Sequence, residues 1–331
     1  MKVIYITEQG SVVRKTSRRL VVSKEERTLA EIPAIGLDGI VIFGNIQMTS
    51  QAMGFLLDSG IHVSFLSSKG KYKGTLIPAQ SKNVLLRIAQ YERYLDEEFQ
   101  RQHASVLVEA KIRNGRGLIK RYSRNYPELE FDDEISGLDS ALKKLEAKPE
   151  VPVLLGIEGQ ATATYFRAFG KMFRKEMDFS VRSRRPPKDP VNALLSFGYT
   201  LVTNETFSLL LAIGFDPYIG YLHQIDYGRP SLALDMVEEF RHPIVDRFTL
   251  YLVNNRIISG EDFFENEERG FFLKPEALKR YFEQYEKRMN EVFQNQFTGE
   301  KVSYRSLFRQ QAYKLSKTIQ ARVPYTPYRI E

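Results

Sequence analysis

The chain contains no cysteine among its 331 residues. Disulfide frameworks, thiolate zinc sites and cysteine nucleophiles are therefore excluded together. It also lacks any apolar run approaching the roughly 18 residues that a membrane helix needs. Its opening, MKVIYITEQG, alternates like a strand and has neither the apolar core nor the cleavage site of a signal peptide. A cytoplasmic protein is expected. The nucleophile elbow, the P-loop, the zincin HExxH and a GxGxxG opening a helix are all missing, which removes the commonest hydrolase, nucleotide and dinucleotide schemes. No internal repeat or low-complexity stretch is found. Histidine is scarce, with only His62, His103, His223 and His242 to choose from.

Charge is present in both signs, with 48 Lys and Arg against 41 Asp and Glu for a formal +7. The distribution says more than the sum. Arg167 to Lys188 holds eight basic and two acidic residues, Lys111 to Arg124 six basic and no acidic, and Glu300 to Glu331 seven basic and two acidic. Any one block reads as a solvated helix face. Three separate blocks in a chain with ample apolar content favour folded surfaces that meet a polyanion, nucleic acid above all. Of the 18 Tyr and 22 Phe, most sit at helical spacing and belong to cores, although Tyr interleaved with Arg and Lys near the C-terminus suits stacking on bases.

Two periods divide the chain. Up to about residue 82 the segments VIYIT, SVVRKT, RLVVS, GIVIFGN, IHVSFLS and YKGTLIP are short, β-branched and punctuated by glycine, which predicts a β-rich domain, a sandwich or meander, over 1–82. One helix interrupts it from about Ser50 to Asp58, capped by Thr49 or Ser50 and released by Gly60. From Asn83 onward helix formers dominate, predicting an α-helical domain over 83–331. The fold class is thus α+β with two domains, a small N-terminal β-rich one and a larger all-α one that carries the chemistry. Lys175 to Pro190, with Pro186, Pro187 and Pro190, reads as a basic loop between helices. NGRG at Asn114 to Gly117 reads as a turn.

One carboxylate stands where a helix should bury carbon. In LLGIEGQATATYFRAFGKMF, read as a helix from about Leu154 to Phe173, Leu154, Ala161, Thr162, Tyr165 and Phe169 share a face with Glu158. A buried ionised carboxylate needs a cation or strong donors, so its partner is an Arg or Lys counter-ion or a metal. A second feature is HQIDYGRPSLALDMVEEFRH. Its helix starts near Ser231 and buries Leu232, Ala233, Met236, Val237 and Phe240. That leaves Asp235 and Glu238 on a neighbouring flank, Glu239 further round, and His223 within reach across the Gly228–Pro230 turn. One histidine and two carboxylates from separate helices suit Mn²⁺ or Mg²⁺ with positions open to phosphate oxygens. Spacing alone equally permits a core His223 and a Glu238 paired with Arg229 or Arg241. Asn192 lies on an apolar helix beside the basic loop, where it orients a phosphate or caps a buried carbonyl.

LLGIEGQATATYF, RPPKDPVNALLSFGYTLVTNE, GFDPYIGYLHQIDYGRPSLALDMVEEFR and VNNRIISGEDF together resemble the CRISPR-associated integrase/endonuclease family of the spacer-acquisition (adaptation) module, in family order and over nearly the whole chain. The resemblance implies that Glu158, His223 and Glu238 are the catalytic residues and the ligands of Mn²⁺ or Mg²⁺, with Asp235 a weaker ligand candidate. It implies a metal-dependent endonuclease and integrase in which the 3′-hydroxyl of a short foreign DNA attacks a phosphodiester of the CRISPR array. Double-stranded DNA (protospacer and repeat) would be the substrate. The protein would form a homodimer through its β domain and a hetero-hexamer with a small ferredoxin-like adaptation protein. Arg182, Arg184, Arg185 and Lys188 are the basic side chains nearest the site that would hold DNA backbone without reading sequence. Alternatives with the same residues are a branch-specific repair nuclease without an acquisition role, a non-catalytic nucleic-acid scaffold, and a metal hydrolase of small phosphoesters.

Overall fold

The computed structural model describes residues 2–68, 70, 72–78, 83–174, 177, 179–184, 186–266 and 270–330. The chain opens with β1 (Lys2–Ile6), β2 (Val12–Thr16), β3 (Arg19–Lys24), β4 (Arg27–Pro33), β5 (Leu37–Phe43) and β6 (Gln47–Met48), then α1 (Ser50–Asp58), β7 (His62–Leu66) and β8 (Tyr72–Leu76). They form two four-stranded sheets, of order β1-β5-β7-β8 and β4-β3-β2-β6. In the second sheet β2, β3 and β4 are the antiparallel meander expected of tightly turned strands. The first differs from that expectation, because β1, β5 and β7 run parallel. Parallel neighbours cannot be joined by a hairpin, and α1 supplies the crossover between β5 and β7. Thr49 caps that helix, its Oγ1 accepting from Ala52 N at 3.3 Å, and Gly60 releases it at φ +73°. The central β5 is apolar at nearly every position, as a strand covered on both faces should be. His62 is structural in position: its ring packs over Gly39, where a Cβ would meet Nε2 at 2.6 Å.

Beyond residue 82 the chain is helical: α2 (Val84–Tyr94), α3 (Glu97–Asn125), α4 (Asp132–Leu145), α5 (Val151–Lys171), α6 (Pro190–Ile213), α7 (Ser231–Glu238), a π-helical turn over Arg241–Asp246, and α8 (Arg247–Asn254). A short hairpin of β9 (Phe263–Asn266) and β10 (Gly270–Leu273) precedes α9 (Pro275–Asn290). A second, of β11 (Val292–Gln294) and β12 (Lys301–Ser303), leads into α10 (Tyr304–Ala321). Local signals explain the helix starts. Asp96 caps α3 through Phe99 N at 3.0 Å with Glu97 and Glu98 in the first turn, which suits the helix dipole. Asp189 caps α6 through Asn192 N at 2.7 Å with Pro190 at its first position. The long α3 packs against α5, α7 and the π-helical turn, and so forms the axis of the helical unit. No helix among the described residues is long and apolar enough to cross a membrane.

Two expectations need correction here. The NGRG segment is not a turn but the middle of α3. Its glycines serve close packing: a Cβ on Gly115 would lie 3.0 Å from Tyr165 Cδ2, and one on Gly117 would lie 2.8 Å from Ile330 O. The single cut at 82/83 also differs from the compact units, which are Met1–Ser81 with Leu273–Glu291 and Lys82–Phe272 with Val292–Glu331. Helix α9 returns to the first unit because its apolar face fits there. Phe282 stacks on Tyr5 with centroids 4.2 Å apart and meets the edge of Phe43 at 5.0 Å.

Candidate metal and catalytic centre

Helix α5 buries Leu154, Ile157, Ala161, Tyr165 and Phe169 and holds Glu158 at the margin of that face, its side chain 21% exposed. Thr162, one turn on, donates to Glu158 Oε1 at 2.8 Å. Lys111 Nζ, from the buried face of α3, donates to the same oxygen. Helix α7 buries Leu232, Ala233, Met236 and Val237 as its stripe predicts, and Glu238 with them. Arg241 donates to Glu238 Oε1 at 3.1 Å, while Lys111 Nζ lies 2.6 Å from Oε2 without the alignment of a hydrogen bond. A single ammonium, on a side chain only 5% exposed, thus spans Glu158 and Glu238. The two distant carboxylates share one cation-sized space.

His223 lies in the segment between α6 and α7 and is positioned by Asp235. Asp235 Oδ2 accepts from Tyr221 N at 2.6 Å and Leu222 N at 3.0 Å; Oδ1 accepts from His223 N at 2.9 Å and lies 2.7 Å from His223 Nδ1. Gly220 makes room for this, since a Cβ there would lie 2.8 Å from Asp235 Oδ2. Both oxygens of Asp235 accept backbone hydrogen bonds, and Oδ1 also orients the imidazole. A proton held on Nδ1 by that carboxylate leaves the lone pair on Nε2.

The electrostatics follow from these partners. Burial pushes the Glu238 carboxyl up, but Arg241, Lys111 and His223 outweigh it and hold it well below the ordinary carboxylate range. Burial also opposes ionisation of Glu158, and Lys111 with Thr162 again wins, lowering it. For His223 burial favours the neutral ring, yet Asp235 and then the charge of Glu238 raise it. That influence links His223 electrostatically to the pair spanned by Lys111. Among the described residues no three carboxylate or imidazole groups form a ready-made metal cage. What stands there is two ionised carboxylates held together by a lysine, with an imidazole oriented by Asp235 within electrostatic range of Glu238. As a donor set, two oxygens and one nitrogen would fit Mn²⁺ or Mg²⁺, and the Lys111 ammonium lies between the two carboxylates.

A second buried network continues from the site. Arg241 lies over the Tyr199 ring, 4.1 Å from its centroid. The Tyr199 hydroxyl donates to Asp246, whose other oxygen is 2.6 Å from His242 Nδ1. The π-helical turn that carries these residues has a local cause. Pro243 has no amide hydrogen for the carbonyl of Glu239, and Asn114 Nδ2 donates to that carbonyl instead at 2.8 Å. Glu239 itself does not join Glu238 and Lys111 but holds the C-terminal segment. It accepts from Tyr325 Oη at 2.6 Å, Gln311 Nε2 at 2.9 Å and Tyr328 N.

The basic candidates separate. Arg182 points inward, donating to Asn192 Oδ1 at 2.8 Å and Ser196 Oγ at 3.1 Å, and burial pushes it down to about 10. Arg184 and Lys188 are exposed; Arg185 lies outside the described residues. Asn192 is fully buried and bonded to Val181 O, Ser183 N and Arg182, so it ties the loop to α6. His103 is a core histidine, pushed down to about 4 by burial and packed among Phe99, Tyr221 and Tyr325.

Comparison with known proteins identifies the chain's relatives. A family model described as "CRISPR associated protein Cas1" matches residues 4–287. The chain is 38% identical over 332 residues to the CRISPR-associated endonuclease Cas1 3 of Thermus thermophilus, covering 99% of this chain and 97% of that one. It is 34% identical over 334 residues to the CRISPR-associated endonuclease Cas1 1 of Chlorobaculum tepidum, with the same coverage. Among solved structures, a casposase bound to integration product superposes with TM-score 0.87 at 26% identity, covering 99% of this chain and 93% of that one. A Cas1 protein from Thermotoga maritima superposes with TM-score 0.83 at 29% identity, covering 96% and 97%. A Cas6-RT-Cas1–Cas2 complex gives TM-score 0.83 at 26% identity, covering all of this chain and 36% of that one.

Proposed function

The chain belongs to the Cas1 family of CRISPR-associated proteins, and on that premise we propose that it is a divalent-metal-dependent DNA integrase and endonuclease of spacer acquisition. The observation that carries the reading is the pairing of Glu158 and Glu238 across one cation, with His223, whose Nδ1 is already engaged by Asp235, within electrostatic range of Glu238. Glu158, Glu238 and His223 Nε2 would hold Mn²⁺ or Mg²⁺. Such an ion, when bound, supplies Lewis-acid stabilisation of charge on a phosphodiester undergoing displacement. Asp235 keeps the imidazole in the tautomer that presents Nε2. Arg241 and Thr162 restrain the two carboxylates so that little reorganisation is needed when a phosphate arrives. In the transfer itself the 3′-hydroxyl oxygen forms a bond to phosphorus as the bond to the outgoing 3′-oxygen breaks. The attacking hydroxyl loses its proton and the outgoing oxygen gains one.

Double-stranded DNA is the proposed substrate, in keeping with the integration product bound by the casposase neighbour. A Cas2 protein is the proposed partner, in keeping with the complex that superposes on this chain; a homodimer assembling with that small partner into a hetero-hexamer is part of the same proposal. Arg184 and Lys188, both exposed, are proposed to track DNA backbone. The test is a strand-transfer assay joining a short duplex with free 3′-hydroxyls to a repeat-containing duplex in Mn²⁺ or Mg²⁺. Joining that Glu158→Ala abolishes, with DNA binding retained, is the expected result. Joining unchanged in that variant refutes the site. Cleavage of branched DNA without any joining favours the repair nuclease instead.

A further inference from the structure

The site's cation is built into the protein. Lys111 sits on the α3 face that buries Ala104, Leu107, Val108 and Leu118, so its stem is packed among carbon and its ammonium has little access to water. It engages Glu158 Oε1 and stands 2.6 Å from Glu238 Oε2, the oxygens that a shared divalent ion would need. Without a metal the cluster is balanced: Glu158 and Glu238 against Lys111 and Arg241. Removing Lys111 would leave two carboxylates facing each other in a poorly solvated space, which is strongly unfavourable. A divalent ion and an ammonium cannot share that space, because both would occupy the same position between the two oxygens and their like charges repel at that range.

We propose that Lys111 is the resident cation of the metal-free centre and that a divalent ion enters only by displacing its ammonium from between Glu158 and Glu238. This rests on the metal-site reading above. The exchange has two consequences. The empty site folds without metal, unlike structural metal domains whose apo forms are unfolded. Replacing the ammonium by a divalent ion also leaves the space between the carboxylates one positive charge richer, an excess that the anionic diester of the substrate would offset. Metal and DNA should therefore bind with positive coupling, and the released ammonium would be free to meet a phosphate oxygen.

The experiment titrates Mn²⁺ alone, by calorimetry and by the electron paramagnetic resonance of the free ion, into the full-length protein and into Lys111→Met, Lys111→Gln, Glu158→Ala and Glu238→Ala. Thermal unfolding is followed with and without Mn²⁺. The expected result is that Lys111→Met binds Mn²⁺ at least tenfold more tightly than the unsubstituted protein, unfolds at a lower temperature in chelator, and gains more on adding Mn²⁺. If Lys111→Met does not fold in chelator, Lys111→Gln keeps a hydrogen-bond donor in place and carries the same expectation for affinity. Mn²⁺ binding that is lost in the Glu variants but no tighter in either Lys111 variant overturns the displacement while leaving the metal site intact. Mn²⁺ binding that survives Glu158→Ala and Glu238→Ala, or is absent throughout, overturns both.

Discussion

The interiors of the two units are built from different material. Among the described residues of Met1–Ser81, the fully buried polar side chains are Ser11 and Ser64, and the rest of the core is Val, Ile, Leu, Phe and Ala. The helical unit buries Lys111, Asp235, Glu238, Glu239, Arg241, His242, Asp246 and Arg305. Apolar burial gives cheap, non-directional stability, whereas buried ions cost desolvation that only good partners recover. The first unit is made of what holds a fold together. The second carries, in its core, groups that an apolar core would not need, and Lys111, Glu238, Arg241, His242 and Asp246 form one connected network among them. The contrast is a reason, independent of any relative, for proposing that the chemistry lies in the helical unit.

The largest effect that tests this contrast is chemical. Glu158→Ala and Glu238→Ala should each cut DNA joining by at least about 100-fold, with circular dichroism and thermal unfolding showing a folded protein. A loss no greater than that of a random surface change would erase the distinction between the units. In the β-rich unit, Ile40→Ala should cost about 2–5 kcal/mol of stability in urea unfolding, since Ile40 is wholly buried, while joining per folded molecule is unchanged. Next, Asp235→Asn should weaken Mn²⁺ binding by about 10–100-fold. The amide cannot take His223 Nδ1–H and three backbone amides on equal terms. Unaltered affinity would mean that His223 is not a ligand.

Glu238 and Glu239 sharpen the comparison within a single helix end. Glu238 faces cations and is lowered, so its contribution is present above the unfolded value near 4.3 and lost as pH falls through the folded one. Glu239 faces neutral donors, and burial pushes it up to about 7. Between about pH 4.3 and 7 the folded state holds a proton there that the unfolded chain has released, so stability falls as pH rises through that window. Glu239→Gln should flatten this slope in denaturant unfolding measured from pH 4.5 to 8; an unchanged slope would locate the titration elsewhere. The smallest change expected is that of Lys188→Ala, which should weaken DNA binding modestly, equally for all sequences, and reduce the slope of log affinity against log salt by about one.

Much of this was legible in the residues because buried charge breaks a pattern. Glu158 interrupts the apolar face of α5, and Glu238 borders the stripe of α7. The strength of α3 was less legible: glycines at 115 and 117 look like a turn to local chemistry, and only the nearness of Tyr165 and the C-terminal segment explains them. Lys111 left the same kind of trace as Glu158, a charge among Ala104, Leu107, Val108 and Leu118, yet it disappears into a basic block when charges are simply counted. The hydrogen bonds of Asp235 were hidden because spacing from His223 does not reveal that the backbone of Tyr221 to His223 wraps its carboxylate. The return of α9 to the β-rich unit rests on aromatic contacts with Tyr5 and Phe43 that no spacing encodes.

Crystals grown with Mn²⁺ and measured at the manganese absorption edge would test the centre most directly. The account predicts one anomalous peak bound by Glu158, His223 Nε2 and Glu238, with Lys111 moved out from between the carboxylates. A peak elsewhere, or none while Lys111 still bridges Glu158 and Glu238 at saturating Mn²⁺, would contradict it.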